Sequence, residues 1–398
     1  MTEENIKLPV SVVDYAKSNS INGKTILVRV DFNVPIENGV VSGDTRIKRS
    51  LDTINFLIDQ KAKIILISHI EGKGGDSLRP VYDFIKNTFP VSFVEDILGE
   101  EGQTAISKLI PGEVILAENI RMYPEEKKND IDFSKKLASL ADIYVNDAFS
   151  VSHRSHASIV GVPQFVPHFA GLLLIDEIVH LQKIFHPKHP FVFILGGAKF
   201  DTKLPLIQKF LSVADHVFVG GALANDIFKA KGFNVGASLV SDMSSVQNIS
   251  NQIFSMKDFI ENPKLVTPSD VVVQKEGIKG VDGCVIKKTN EVLEDEVIFD
   301  SGPETVEFLK KLVSESKCVL WNGPLGNYEE GFTGPTIELA KIIAETGVDG
   351  AVGGGDTLAA INTLGDTVES KINFISTGGG AMLQYLLDET LVGIDALK

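Results

Sequence analysis

Short β-branched runs separated by amphipathic stretches dominate the chain from Lys24 onward. In the first half the apolar runs are ILVRVD, KIILISH, VSFVED, EVILAEN and IYVNDA. In the second they are FVFILGG, HVFVGG, VIFDSG, CVLWNG, GAVGGG and NFISTGGG, with helix-like segments such as 204–211 and 336–344 between them. This alternation predicts βαβ units feeding parallel sheets, because parallel neighbours need a long crossover that a helix supplies. No short repeat or low-complexity tract interrupts it, so two doubly wound α/β domains with Rossmann-like parallel sheets are expected rather than a solenoid. Gly161-Val162-Pro163 and Pro167 break regular structure, LLLIDEIVHLQKIF then reads as one helix, and His186-Pro187-Lys188-His189-Pro190 ends it. The expected division is a first domain over 1–170, a hinge helix over 171–187 and a second domain over 188–385. A crossover helix inside one larger domain would carry the same pattern.

Glycine turns close the apolar runs of the second half. STGGG, from Ser376 to Gly380, follows one run and precedes a helical pattern, and three glycines let backbone N–H groups converge where a helix dipole is positive. Alone this is a tight turn. Gly196-Gly197-Ala198-Lys199, Gly220-Gly221, Asn322-Gly323-Pro324 and Gly353-Gly354-Gly355-Asp356 repeat the arrangement, and together they suggest one shared phosphate site.

Composition narrows the choices. With 398 residues, 43% of them hydrophobic and 23% charged, the chain has the make-up of a soluble protein of two or three domains. A formal net charge of −15 argues against non-specific binding of nucleic acid or anionic membranes. The beginning, MTEENIKLPV, has no apolar core, and no run approaches a membrane span, so a cytoplasmic location is expected. Cys284 and Cys318 are too isolated for a disulfide framework or a metal set, which fits a reducing compartment.

In the first half, polar groups stand where strands should end. These are Asp31 and Asn33 after the first run, His69 after the second, Glu118, Asn119 and Arg121 after the fourth, and Asn146-Asp147 after the fifth, followed by His153-Arg154-Ser155-His156. Arg46 is expected in a loop, within Asp44-Thr45-Arg46. Open parallel sheets bind ligands beyond these carboxyl ends, and several arginines there would clamp a small polyanion. Taken singly, each arginine reads as a solvated surface group, and Asp31 with Asn33 as an Asx turn. His153 and His156 lack a carboxylate or cysteine to complete a metal set.

The second half suggests nucleotide binding without a P-loop, since neither GxxxxGK[ST] nor GxGxxG occurs. Lys199 and Lys203 lie four apart after Gly196-Gly197 and would share one face if both were helical. Gly353-Gly354-Gly355-Asp356-Thr357 offers amides for phosphate, a carboxylate for Mg²⁺ and a hydroxyl, although a metal-free N-cap would look the same. Asn322-Gly323-Pro324 could be a plain turn, and Trp321 is expected in the core.

Taken in order, VRVDFNVP (28–35), DTRI (44–47), SH (68–69), ENIR (118–121), NDAF (146–149), HRSH (153–156), GGAK (196–199), WNGPLG (321–326), GGGDT (353–357) and STGGGA (376–381) make the sequence resemble the phosphoglycerate kinase family over essentially its whole length. The resemblance implies a glycolytic and gluconeogenic kinase with two α/β domains. The first would hold 3-phosphoglycerate or 1,3-bisphosphoglycerate, the second MgADP or MgATP, with residues 386–398 returning to the first. It also implies a hinge-bending monomer. Asp31, Asn33, Arg46, His69, Arg121 and Arg154 would bind the phosphoglycerate. Arg46, Lys199 and Gly378, Gly379 and Gly380 would stabilise the phosphoryl group in transit. Lys203, Asn322, Thr357 and the loop of Gly353, Gly354 and Gly355 would hold nucleotide phosphates, with Asp356 on Mg²⁺ and Glu329 on the ribose. Gly196, Gly197, Gly220 and Gly221 would lie against the adenosine.

Three stretches depart from the family pattern. Ser68-His69-Ile70-Glu71-Gly72-Lys73 stands where SHLGRP is usual, so a substrate-binding arginine is missing and Lys73 is the nearest substitute. AKFDTK replaces AKVSDK, and ALANDIF replaces GMAFTF, which bears on base preference. The altered 70–76 loop is what a catalytically weakened, nucleotide-binding homologue would rest on. A nicotinamide-dependent dehydrogenase would fit the sheets but lacks the fingerprint glycines.

Overall fold

Strand β1 (Thr25–Arg29) is buried along almost its whole length, as the centre of a helix-covered parallel sheet must be. In the computed structural model, which describes residues 8–72, 76–241, 256–278 and 280–398, the chain divides into two units. One comprises Met1–Val179 with Asp388–Lys398, the other His180–Leu387.

In the first unit a small hairpin, β2 (Ile36–Glu37) and β3 (Val40–Val41), precedes β4 (Lys63–Ile67), β5 (Val91–Val94), β6 (Val114–Ala117), β7 (Ile143–Asn146) and β8 (His168–Ala170). The main sheet has the order β5-β6-β4-β1-β7-β8 and is parallel throughout. Arg29 pairs with both Ile67 and Asn146, so the carboxyl ends of β1, β4 and β7 finish level and release Asp31, His69 and Asp147 at one edge. The helix Thr45–Asp59 buries Ile47, Ser50, Thr53, Ile54 and Leu57, which lie on one face at intervals of three and four.

The helix Leu172–Gln182 carries the chain across the division between the units. It is shorter than the 171–187 expected: a 3-10 turn at Lys183–Phe185 follows, and the division falls inside it, after Val179. Its first N–H groups are taken by Thr53 Oγ1 (2.9 Å from Leu172 N) and Asp147 Oδ1 (2.9 Å from Leu173 N, 3.2 Å from Leu174 N). Asp147 sits so close beneath the turn that a Cβ on Gly171 would lie 2.1 Å from its Oδ1.

The second unit has a parallel sheet of order β11-β10-β9-β15-β16, built from β9 (Phe191–Leu195), β10 (His216–Val219), β11 (Leu265–Val266), β15 (Cys318–Asn322) and β16 (Asp349–Gly353). Beside it is a separate antiparallel sheet, β13-β12-β14, of β12 (Asp270–Lys275), β13 (Val285–Lys288) and β14 (Glu296–Ser301). The run VIFDSG therefore does not join the parallel sheet as expected. A two-residue side-chain period is the same in both pairings, and the links within 276–284 and 289–295 are too short for a helical crossover. NFISTGGG also falls short of a full strand: Ile375 makes one parallel bridge to Val352. Trp321 is fully buried, its Nε1 donating to Gly323 O at 2.9 Å. Both cysteines are free thiols. Among the described residues no helix is long and apolar enough to cross a membrane.

Candidate active site

Asp31, just past β1, is the hub of the first unit's polar edge. Its carboxylate accepts the Ser150 hydroxyl, lies 3.1 Å from Arg46 Nη1 and takes the Asn33 N–H at 3.1 Å. Burial opposes its ionisation, but Arg46, first among the attractive partners, holds its pKa below the ordinary carboxylate value. Arg46 is not in a loop. The helix begins at Thr45, so Arg46 lies in its first turn, where the helix dipole disfavours a cation. Asp31 and the Asn33 carbonyl, 2.7 Å from Nη1, keep it there.

His69 is buried, with Nδ1 3.1 Å from Arg29 Nη2 and 3.9 Å from Asp31 Oδ1. Burial and then Arg29 depress its pKa far below the ordinary imidazole value. Asn33 Oδ1 accepts the Glu71 N–H at 3.0 Å, and the Glu71 carboxylate contacts both Arg121 Nη1 and Lys127 Nζ. Asn119 braces this loop at both ends, donating to Ile70 O (2.8 Å) and Asp76 O (2.7 Å). The side chain of Arg121 is 5% exposed, and its Nε and Nη2 are buried without a hydrogen-bond partner among the described residues. Arg154 is exposed nearby, and His156 is depressed to about 4 by burial and then by Arg121 and Arg154. Neither His153 nor His156 belongs to a group of three metal-ligating side chains among the described residues. Lys73 lies outside the described residues.

In the second unit, three strand-ending turns interlock through bare backbone. Gly196 N donates to Asn322 O (2.9 Å), Gly197 N to Pro324 O (3.0 Å) and Gly221 N to Leu325 O (3.1 Å). Side chains have no room here: a Cβ on Gly196 would lie 2.0 Å from Pro324 O, and one on Gly221 2.7 Å from Gly197 N. Gly220 is similarly hemmed in by Phe218, and Gly353 by Met382, to whose sulfur Asn322 Nδ2 points at 3.8 Å. Gly354, at φ +109°, packs beside Gly323 N, which donates to Thr357 Oγ1 at 3.0 Å. Gly378 N donates to Ser376 Oγ at 3.2 Å, Gly379 would set a Cβ 3.3 Å from Gly354 Cα, and Gly355 and Gly380 face open space.

Lys199 and Lys203 do not share a helical face. Lys199 is an exposed N-cap in the left-handed region, at φ +65°, while Lys203 turns back from the first turn to donate to Gly196 O at 2.9 Å. Burial lowers Lys203 to about 8, against a raising influence of Asp356. Asp356 is itself raised by burial and by Glu329. Both acids line a cavity of about 390 Å³ with Gly197, Gly221, Pro324 and Tyr328, and with Phe228, Leu239 and Val271 among its apolar walls.

Asp300 also lines that cavity, although no motif in the sequence marks it. It is buried, packs against Gly326, accepts the Ser301 N–H at 2.8 Å, and is pushed up to about 8 by burial. The folded chain therefore binds a proton at pH 7 that the unfolded chain releases, so the stability this gives at low pH is lost as pH rises toward about 8. Asp300→Asn, which keeps the acceptor and removes the titration, is expected to raise the melting temperature relative to the parent at pH 8 more than at pH 5. Parallel melts at the two pH values check this, and an equal difference would sink it.

The phosphoglycerate kinase family model matches residues 16–389 of the chain. A phosphoglycerate kinase of Dictyoglomus turgidum is 41% identical over 391 residues, covering 96% of this chain and 97% of that one. One of Moorella thermoacetica is 42% identical over 393 residues, covering 96% and 98%. The solved phosphoglycerate kinase of Coxiella burnetii superposes with a TM-score of 0.79 at 33% identity, and that of Pyrococcus horikoshii OT3 with 0.80 at 30%, each covering 98% of both chains. With a shared fold and sequence similarity running through both units, the chain belongs to the phosphoglycerate kinase family.

Proposed function

We propose that the chain catalyses reversible phosphoryl transfer between 1,3-bisphosphoglycerate with ADP and 3-phosphoglycerate with ATP, as a cytoplasmic monomer. The observation that carries this is a cationic strand edge in one unit and a glycine-walled cavity in the other. Asp31, Asn33, Arg46, His69, Arg121 and Arg154 hold the phosphoglycerate, and the Nε and Nη2 of Arg121, without a partner among the described residues, suit an oxyanion. Gly196, Gly197, Gly220 and Gly221 border the adenosine, with Glu329 on the ribose. Asn322, Gly353, Gly354, Gly355 and Thr357 surround the phosphates.

The acceptor is a carboxylate ionised at pH 7, so no general base is needed. The chain's task is to align acceptor oxygen, phosphorus and leaving oxygen and to neutralise the equatorial oxygens. Arg46, Lys199 and the amides of Gly378, Gly379 and Gly380 do the neutralising. Because acceptor and nucleotide bind different units, turnover requires the units to close and exclude water. Asp356 is the residue that would hold Mg²⁺: its mutual repulsion with Glu329 favours a cation there, and a Mg²⁺ ion that binds mainly through substrate phosphates would need few protein carboxylates. When bound, the ion would offset charge on the nucleotide phosphates.

Initial rates of 3-phosphoglycerate-dependent MgATP consumption, with product drawn off by a coupling dehydrogenase, test the reading. A folded protein that binds MgADP but never turns over would overturn it. Lys203 adds a pH signature. Its ammonium is lost as pH rises through about 8, so kcat/KM for the nucleotide should fall above that pH and the fall should vanish in Lys203→Met. A profile in Lys203→Met that matches the parent would remove Lys203 from phosphate binding.

A further inference from the structure

We propose that Arg29 is a positioning residue that locks His69 as the neutral tautomer protonated at Nε2, so that the imidazole offers the phosphoglycerate one N–H donor and no charge. This rests on the reading of His69 as a substrate-binding residue.

Arg29 ends β1 and is fully buried. Its Nε donates to Ser158 Oγ at 2.9 Å and its Nη1 donates to the Val30 carbonyl. Ser158 Oγ in turn donates to the buried Glu126 at 2.5 Å, and Ser158 N donates to the same carboxylate at 2.9 Å, which fixes the hydroxyl with a lone pair free for Arg29. The guanidinium is thus anchored on two sides, and its Nη2 reaches His69 Nδ1 at 3.1 Å. A guanidinium only donates, so Nδ1 must accept and the ring proton must sit on Nε2.

The groups facing the ring sharpen the point. Asp31, whose Oδ1 lies 3.9 Å from Nδ1, would favour a proton on that nitrogen, either as the opposite tautomer or as imidazolium. Asp31 is already committed to Arg46 and Ser150, and Arg29, Arg46 and Arg121 all oppose a charged ring. No protein group among the described residues partners Nε2.

Nitrogen-15 spectra of histidine-labelled protein test this directly, with the His69 signals identified by their loss in His69→Ala. The expected result is an unprotonated Nδ1 and a protonated Nε2, unchanged from about pH 5 to 8. A protonated Nδ1, or imidazolium in that range, overturns the proposal even if no Arg29 variant folds. In Arg29→Met the proton should move to Nδ1, facing Asp31. The KM for 3-phosphoglycerate should then rise about tenfold at pH 8, equivalent to losing one hydrogen bond, and recover as the pH falls and the ring gains its second proton. A KM raised equally at every pH, with His69 signals unmoved, means a purely structural Arg29 and overturns the lock. An unchanged KM in His69→Ala would instead remove His69 from the substrate site, whatever its tautomer.

Discussion

Arg46→Ala is expected to cut kcat by about three orders of magnitude while moving the KM of either substrate only a few-fold, as for loss of a donor that acts on transition-state charge. The same change strips the buried Asp31 of its principal counter-charge. Arg46 is only part-buried, but its loss leaves the buried Asp31 carboxylate short of compensation, so the variant should also melt at a lower temperature. Arg46→Lys separates the two effects. An ammonium can neutralise Asp31 and restore most of the stability, but it lacks the planar fork that spans two oxygens, so kcat should stay low. Steady-state rates in both directions, with melts of all three proteins, check this. A variant with normal kcat and a raised KM alone would make Arg46 a ground-state binder.

Asp356→Ala is expected to lower kcat/KM for the nucleotide by about two to three orders of magnitude and to raise the Mg²⁺ concentration needed for half-maximal rate. The fold should survive, because Asp356 stands in the first turn of the helix Gly355–Asn362 and its removal forfeits a helix-dipole contact worth about 0.3 to 1 kcal/mol. A second consequence has a definite sign. Asp356 raises the pKa of Lys203, so without it the alkaline fall in nucleotide use should begin below about pH 8. Mg²⁺ titrations at fixed nucleotide, repeated across pH, test both. Full activity at limiting Mg²⁺ would reject Asp356 as the metal-holding residue.

The parallel sheets were readable because buried central strands write themselves as continuous apolar runs, and turn glycines mark where those runs end. The antiparallel sheet was not, since VIFDSG has the same alternation whichever way its neighbour runs. Lys199 and Lys203, four apart, would share a face only if both were helical, and nothing in the letters announces the left-handed residue that puts Lys199 outside the helix. Arg29 was visible only as a letter in VRVD. Its meaning depends on His69 and Ser158, 40 and 129 residues further on, and sequence spacing does not encode such a meeting. The Glu71 contact with Arg121 was foreshadowed only as a departure from SHLGRP, because an acid in a loop reads as solvated until a buried guanidinium is found beside it.

The segment Asp388–Lys398 belongs to the unit formed by Met1–Val179, and its Gly393 donates to Ser152 O at 2.8 Å where a Cβ would lie 3.0 Å from the Ser152 backbone. Translation runs in one direction, so the unit whose residues leave the ribosome first is the one completed last. Until the closing stretch emerges, its β7 to β8 region waits with Ser152 uncovered while the whole of His180–Leu387 has already been delivered. A stalled or prematurely ended chain would then carry a finished His180–Leu387 unit and an unfinished Met1–Val179 unit, and a protease should cut the second before the first.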